Sequence, residues 1–127
     1  MASTPDKKIV VIVEDTEEIA QLIKDTLNAE PEFQAVVATD SALALEVIRS
    51  VKVSLIILDV YLPGMSGIEL YDLLQSDQSA SSIPVLFVTA AHGDQKFKER
   101  NFEHYIAKPF DLDELLSRVH EICSPGS

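Results

Sequence analysis

Five polar residues stand at the ends of short apolar runs, and their types are those that phosphate and metal chemistry require. They are Glu14, Asp15, Asp59, Thr89 and Lys108. Three carboxylates held close together repel one another unless a cation neutralises them, and hard divalent ions such as Mg²⁺ prefer oxygen ligands. If the fold brings them together, Glu14, Asp15 and Asp59 therefore form a candidate Mg²⁺ site.

The same set of residues could carry out phosphoryl transfer. A carboxylate whose charge is masked by a metal can attack phosphorus and form an acyl phosphate. Thr89 could donate a hydrogen bond, and Lys108 could offer a positive charge, to the phosphoryl oxygens. Acyl transfer fits less well, because it would need a base beside a Ser, Thr or Cys nucleophile.

The apolar runs that precede these residues are typical of buried β-strands. Three of them are nearly all apolar and rich in β-branched residues: 9–13 (IVVIV), 55–58 (LIIL) and 85–88 (VLFV). Since their hydrophobicity is continuous rather than alternating, both faces are covered, as in the centre of a parallel sheet. Two weaker runs, 33–38 and 104–107, predict strands nearer the sheet edges.

Helical periodicity separates the predicted strands. Apolar residues three and four positions apart mark four amphipathic stripes: Ile19, Leu22, Ile23 and Leu27; Leu43, Val47 and Ile48; Ile68, Tyr71 and Leu74; Leu112, Leu115, Leu116 and Val119. The pairs Ser66 with Glu69 and Asp111 with Glu114 are spaced as capping boxes at helix starts. Segment 93–102 is polar apart from two Phe residues, and its helical pattern is the weakest.

The element order is a strand followed by a helix, five times over. Because parallel crossovers are right-handed and helices must cover both faces, this order predicts a doubly wound α/β sandwich of the flavodoxin-like (βα)5 type. Its five-stranded parallel sheet is expected in the order 2-1-3-4-5. Ligands then bind beyond the carboxyl ends of strands 1 and 3, where the strand order reverses. We therefore expect the five polar residues at this rim of the sheet, rather than in its core.

Composition limits the partners and the location of the protein. At 127 residues and 46% hydrophobic, the chain suits one domain, assigned to 8–123 with a flexible segment 1–7 and a tail or truncated linker 124–127. A formal charge of −11 disfavours direct contact with nucleic acid or an anionic membrane. One cysteine, no apolar signal-peptide core and no apolar run near the ~18 residues of a membrane helix predict a cytoplasmic location.

Four motifs, in order along the chain, identify a family resemblance: VEDTEE, DVYLPGMSG, VTA and YIAKPF. Together they resemble the receiver domain of two-component response regulators, the CheY-like family, over about residues 8 to 122. The resemblance implies that Asp59 accepts a phosphoryl group from the phosphohistidine of a sensor histidine kinase or a phosphotransfer protein. It also implies that Asp15 binds Mg²⁺ directly, Glu14 mostly through water, and Tyr61 through its backbone carbonyl.

The resemblance further implies a conformational switch. Thr89 and Tyr105 would move together and couple the site to the face made by the fourth helix, fifth strand and fifth helix. Lys108 would hold the phosphate, and the Lys108–Pro109 peptide bond would be cis. The partners implied are a downstream effector domain or protein and, potentially, a second copy of the chain. The protein would catalyse only its own phosphorylation and dephosphorylation, whose rate Tyr61 and Ala91 would tune.

Two departures from the family's usual form and two alternatives accompany this hypothesis. Glu14 stands where the family more commonly has Asp, a substitution that many members share. The interval from Thr89 to Lys108 is shorter than in the family's usual form by about one helical turn, roughly 3.6 residues. A short fourth helix is therefore expected. A Mg²⁺-dependent phosphatase of the haloacid dehalogenase class would carry an acid two residues after its nucleophile, where this chain has Tyr61. A protein-binding module that works without phosphorylation is the other alternative.

The remaining candidate metal ligands have no recognisable pattern. His92, His104 and His120 have no mutual ligand spacing, and none lies in a helical pattern suited to a phosphotransfer histidine. They are expected at the surface. Cys123 is expected to be structural or simply exposed.

Overall fold

A computed structural model describes residues 7–124 of the chain. Its elements are β1 Lys8–Val13, α1 Glu17–Asn28, β2 Phe33–Ala38, α2 Ser41–Ser50, β3 Leu55–Leu58, α3 Gly67–Gln75, β4 Val85–Thr89, a 3-10 turn Ala90–Gly93, α4 Gln95–Arg100, β5 Tyr105–Ala107 and α5 Leu112–Cys123. The strands form one parallel sheet in the order β2-β1-β3-β4-β5, which confirms the predicted topology. The predicted segment 1–7, apart from Lys7, and residues 125–127 lie outside the described residues.

Two hydrophobic layers form the core, one on each face of the sheet. On one face, β1 contributes Val11 and Val13, which pack with buried residues of α2, α3 and α4. On the other face, Val10 and Ile12 pack with buried residues of α1 and α5. Side chains alternate between the faces along a strand, so a run of uninterrupted apolar residues fills both layers. The central strands are thereby held rigidly, and the residues that follow them have fixed positions.

Two leucines of the predicted helical stripes are exposed rather than buried. Leu22 of α1 and Leu43 of α2 both face solvent. The buried positions of those helices are taken instead by Ala20 and Ala44, together with the larger apolar residues of each stripe. The stripe is therefore rotated from its predicted position, and small side chains on the inner face let each helix approach the sheet closely.

The predicted helix starts are confirmed at α3 and α5, and only the capping contact at α5 differs from the expected one. Ser66 and Glu69 form a reciprocal capping box, with hydrogen bonds of 3.2 and 3.3 Å. At α5, the carboxylate of Asp111 accepts from the amide of Asp113 at 2.8 Å, in place of the expected pairing with Glu114. A carboxylate can satisfy any of the unpaired amides of the first turn, so spacing alone does not choose between them.

Helix α4 is only six residues long, as the short interval before Lys108 predicted. Asn101, which follows the helix and caps its C-terminus, adopts the left-handed conformation with φ of 52°. Arg100, its last residue, forms a bidentate ion pair with Asp72 of α3 at 3.1 and 2.6 Å. The face of β4 and β5 beneath it is filled by an aromatic cluster of Tyr71, Phe87, Phe97, Phe102 and Tyr105.

Candidate functional site

The carboxyl ends of the strands bring three carboxylates together. Glu14 and Asp15 follow β1, Asp59 follows β3, and one oxygen from each lies within 4.8 Å of the other two. Asp15 is exposed, whereas Glu14 and Asp59 are only 2% and 5% exposed. These two acids therefore lie deeper than the rim position expected from the sequence, because the ends of neighbouring strands and loops cover them.

Local hydrogen bonds orient the two buried carboxylates. The amide of Tyr61 donates to Asp59 Oδ1 at 3.2 Å, and the amide of Thr16 donates to Glu14 Oε2 at 3.1 Å. The backbone amide of Asp59 itself donates to the carbonyl of Val13 at 3.1 Å, which extends the pairing of β1 with β3 by one residue. The second oxygen of each carboxylate is left to face the centre of the site.

Lys108, which follows β5, bridges those two oxygens. Its ammonium lies 2.8 Å from Glu14 Oε1 and 2.9 Å from Asp59 Oδ2. Burial alone would lower the pKa of Lys108, but its hydrogen bonds to Asp59 and Glu14, and their charges, raise the pKa above its ordinary value. Lys108 is therefore charged at neutral pH. One ammonium among three carboxylates leaves two formal negative charges, which is the charge that a divalent cation would balance.

The donor set fits a hard divalent cation. Carboxylate oxygens from Glu14, Asp15 and Asp59 are close enough to share one ion, and the exposed Asp15 leaves one side open for water or a phosphate oxygen. The hydrogen bond to Asp59 places the backbone of Tyr61 beside this set. That the carbonyl of Tyr61 is a ligand stays a prediction.

Thr89, the last residue of β4, is fully buried. Its hydroxyl oxygen accepts a hydrogen bond from the amide of Ala91 at 3.0 Å and so caps the 3-10 turn. Its carbonyl accepts from the amide of Lys108 at 3.0 Å, which ties the ends of β4 and β5 together. Because accepting a bond does not use the hydroxyl hydrogen, Thr89 keeps a proton with which to donate.

Tyr105 lies away from the acidic cluster, at the surface. Its side chain is 46% exposed, and its ring meets that of Phe97 edge-on with centroids 5.5 Å apart. The structure thus places Tyr105 on the aromatic cluster beside α4, whereas its neighbour Ile106 is buried on the opposite face. Its role as a switch stays a prediction. The Lys108–Pro109 peptide bond is cis, as the resemblance implied.

The structure adds one residue to the site that sequence reasoning missed. The hydroxyl of Tyr61, whose side chain is 55% exposed, donates to Asp94 Oδ2 at 3.5 Å. The other oxygen of Asp94 accepts from the amide of Lys96 and caps α4. An Asp before a polar segment is a common helix-start signal, but nothing local indicates that Tyr61 reaches it. Ala91, also expected to flank the site, is buried.

The expectation that the histidines lie at the surface holds only in part. His120 is half-buried, and its ring nitrogens lie 3.0 Å from Glu30 and 3.4 Å from Glu32. His104 is partly exposed beside Glu103, and the side chain of His92 is outside what the structure describes. Cys123 is half-buried. Within residues 7–124, no helix is both long and apolar enough to cross a membrane.

Comparison with known proteins matches this architecture to one family. The family model described as "Response regulator receiver domain" matches residues 10–120. The chain is 34% identical over 120 residues to the sensory transduction protein RegX3 of Mycobacterium tuberculosis, covering 92% of this chain and 51% of RegX3. Other relatives are named as sensor histidine kinases and DNA-binding response regulators. The chain spans 7% to 51% of the length of these relatives.

Solved structures agree. The receiver domain of the Francisella response regulator 1452 has a TM-score of 0.84 at 27% identity, covering 95% of this chain and all of that one. The response regulator TrrA of Thermotoga maritima, solved in complex with Mg²⁺ and BeF, has a TM-score of 0.77 at 26% identity, covering 91% of this chain and 98% of that one. Because the family model matches far more than half of the chain, the chain belongs to the receiver domains of two-component response regulators.

Proposed function

We propose that this receiver domain accepts a phosphoryl group on Asp59 in a Mg²⁺-dependent reaction. The observation that carries the proposal is the bridge from Lys108 to Glu14 and Asp59, with Asp15 within 4.8 Å of both acids. Phosphoryl transfer requires a nucleophilic carboxylate and a fixed cation beside it. It also requires two uncompensated negative charges that a divalent cation can balance. The donor is a phosphohistidine of a sensor histidine kinase or of a phosphotransfer protein.

The reaction transfers phosphorus from nitrogen to oxygen. One oxygen of Asp59 bonds to phosphorus, the P–N bond of the donor breaks, and its electron pair stays on the imidazole nitrogen. Mg²⁺ held by Glu14, Asp15 and Asp59 would neutralise charge on the phosphoryl oxygens. Lys108 exchanges its bond to Asp59 Oδ2 for one to a phosphoryl oxygen, and Thr89 donates its free hydroxyl hydrogen. The domain catalyses only its own phosphorylation and dephosphorylation.

The output is a shift between two packings of the β4 and β5 side of the domain. Thr89 and Lys108 are joined by a backbone hydrogen bond, so movement of either toward the phosphoryl group displaces the end of β5. Tyr105 begins β5 and rests on Phe97 of α4. The face of α4, β5 and α5 thus receives the change and presents it to an effector domain or protein, in the cytoplasm.

The phosphorylation test uses a small phosphodonor. We expect intact-mass measurement after incubation with acetyl phosphate and Mg²⁺ to show one phosphoryl adduct on the wild type and none on Asp59→Asn. Chelation of Mg²⁺ is expected to abolish the adduct, because the acid cluster would then repel the phosphodonor. No adduct on the wild type, under conditions that load another receiver, would favour the binding-module alternative. An adduct that persists in Asp59→Asn would mean that another residue is the acceptor.

A second prediction concerns the lifetime of the phosphoryl group. The backbone of Tyr61 lies beside Asp59 and its ring extends to Asp94, so the side chain borders the path of water to the site. We expect Tyr61→Ala to hydrolyse the aspartyl phosphate several-fold faster than the wild type. Tyr61→Phe, which removes only the bond to Asp94, is expected to have a smaller effect. The decay of the adduct followed by mass measures both, and an unchanged rate in Tyr61→Ala would exclude Tyr61 from this role.

A further inference from the structure

A second group of ligand-type side chains lies at the other end of the sheet, where the strands begin. His120 of α5 stands between two carboxylates of the turn that precedes β2. Its Nε2 is 3.0 Å from Glu30 Oε1, and its Nδ1 is 3.4 Å from Glu32 Oε2. One donor atom from each of the three residues lies within 4.8 Å of the other two. Residues some ninety positions apart are thus brought together by the fold.

The surrounding structure holds these side chains in place. The ring of His120 packs on that of the fully buried Phe33, with centroids 5.1 Å apart. The carbonyl of Glu32 accepts from the amide of Lys8 at 2.8 Å, which fixes the turn at the start of β1. Glu30 and His120 are half-buried and Glu32 is exposed, so the group is held against the core and is still reachable from solvent.

A thiol lies in the same cavity. Cys123 follows His120 by three residues on α5, which places both on one face of the helix. With Glu32 and His120 it lines a cavity of about 190 Å³. Lys8 also lines this cavity, and its ammonium donates to the carbonyl of Cys123. Cys123 thus borders the group, whereas the donor atoms that lie within 4.8 Å of one another belong to Glu30, Glu32 and His120.

We propose that Glu30, Glu32 and His120 bind a transition-metal dication of the Zn²⁺ type, at a site separate from the acid cluster around Asp59. Imidazole together with carboxylates selects Zn²⁺ and its neighbours over Mg²⁺ and Ca²⁺, which take oxygen ligands. Zn²⁺ bonds to nitrogen and oxygen of about 2.0–2.2 Å in a tetrahedron put ligand atoms roughly 3.4 Å apart. The three donor atoms now lie within 4.8 Å of one another, and rotation of the glutamate side chains would bring them to this separation.

The bound ion would connect the turn before β2 to the end of α5. One ring nitrogen of His120 would bind the metal, and the glutamate that now faces the other nitrogen would rotate to bind the same ion. Metal binding to the folded state alone adds stability, so the ion is expected to raise the thermal midpoint of unfolding. This proposal does not depend on phosphorylation of Asp59.

The test separates this site from the acid cluster by mutation. Zn²⁺ is titrated by calorimetry into the full chain carrying Asp15→Asn and Asp59→Asn, which weakens the other cluster. We expect one equivalent to bind, and adding His120→Gln to weaken that binding at least tenfold. His104→Gln is the matched control, because His104 also lies beside a glutamate, Glu103, at 3.8 Å. It is expected to leave Zn²⁺ binding unchanged.

A second measurement uses the wild-type chain and does not depend on the folding of any variant. Stoichiometric Zn²⁺ is expected to shift the ring nitrogen resonances of His120 in NMR spectra by more than those of His104. If the ring resonances of His120 do not move, the three residues form an ion pair only. The same conclusion would follow if the chain without the acid cluster binds no Zn²⁺, or binds it equally well after His120→Gln.

Discussion

Replacing Lys108 by Met is expected to lower the free energy of unfolding by about 3 kcal/mol. The substitution keeps much of the side-chain volume and removes the one ammonium that contacts both Glu14 and Asp59. Those carboxylates are almost fully buried, so they would be left facing each other without a cation. Removing one partner from a buried charged group costs more than the pair itself contributes. Chemical denaturation of both proteins in the absence of divalent ions measures the difference.

Two controls distinguish the local effect from a general change of charge. Lys52→Met removes an exposed lysine and is expected to change stability by less than about 0.5 kcal/mol. Mg²⁺ is expected to raise the thermal midpoint of Lys108→Met more than that of the wild type, because the metal would then balance a larger negative charge. If Lys108→Met and Lys52→Met are equally stable, the bridge seen in the structure does not contribute to folding.

The stability contributed by Lys108 should also depend on pH. Because its pKa is raised in the folded protein, its contribution is complete below the ordinary value of 10.5 and is lost as pH rises through the higher folded value. The wild type is therefore expected to lose stability above about pH 10.5 more steeply than Lys108→Met, so that the two curves approach each other. Parallel curves through this range would contradict the assignment.

The strands and the residues that end them could be predicted because both depend on local pattern. A run such as 55–58 is buried on both faces only in the middle of a parallel sheet, and a polar residue directly after it must lie at the sheet edge. This reasoning alone places Glu14, Asp59 and Lys108 at the carboxyl ends of the strands, but it does not predict how deeply the two acids are buried. The short α4 could be predicted through the family resemblance, since the interval from Thr89 to Lys108 is shorter than in the family's usual form.

The contacts among those residues could not be predicted, because they depend on register and rotamers over long separations. Lys108 contacts Glu14 and Asp59, which lie 94 and 49 positions away in the sequence. A lysine side chain that extends into solvent would be equally compatible with the sequence. The contact of Tyr61 with Asp94 joins two loops whose spacing is set by the sheet. His120 meets Glu30 only because α5 ends beside the start of β2. In α1 and α2 the buried stripe is also rotated from its predicted position, so Leu22 and Leu43 are exposed.

Replacing Gly67 by Ala is expected to destabilise the domain by about 3 kcal/mol and to reduce phosphorylation of Asp59. Gly67 begins α3, and its amide donates to the carbonyl of Val60 at 2.8 Å, which draws the helix against the loop after β3. A Cβ atom there would lie 2.1 Å from the carbonyl oxygen of Asp59 and 2.8 Å from the Cα of Val60. Because both are backbone atoms, relief requires moving the backbone that carries Asp59, the proposed phosphoacceptor.

The chain provides a matched control for this substitution in Gly93. A Cβ at Gly93 would meet nothing within 4 Å, so Gly93→Ala should change stability by less than about 1 kcal/mol. Both substitutions reduce the freedom of the unfolded chain equally, and alanine is also the better helix former by about 1 kcal/mol. Those effects favour alanine, so only the clash can make Gly67→Ala worse. Equal stability and equal phosphorylation of the two variants would mean that the loop after β3 shifts freely, and that Gly67 does not position Asp59.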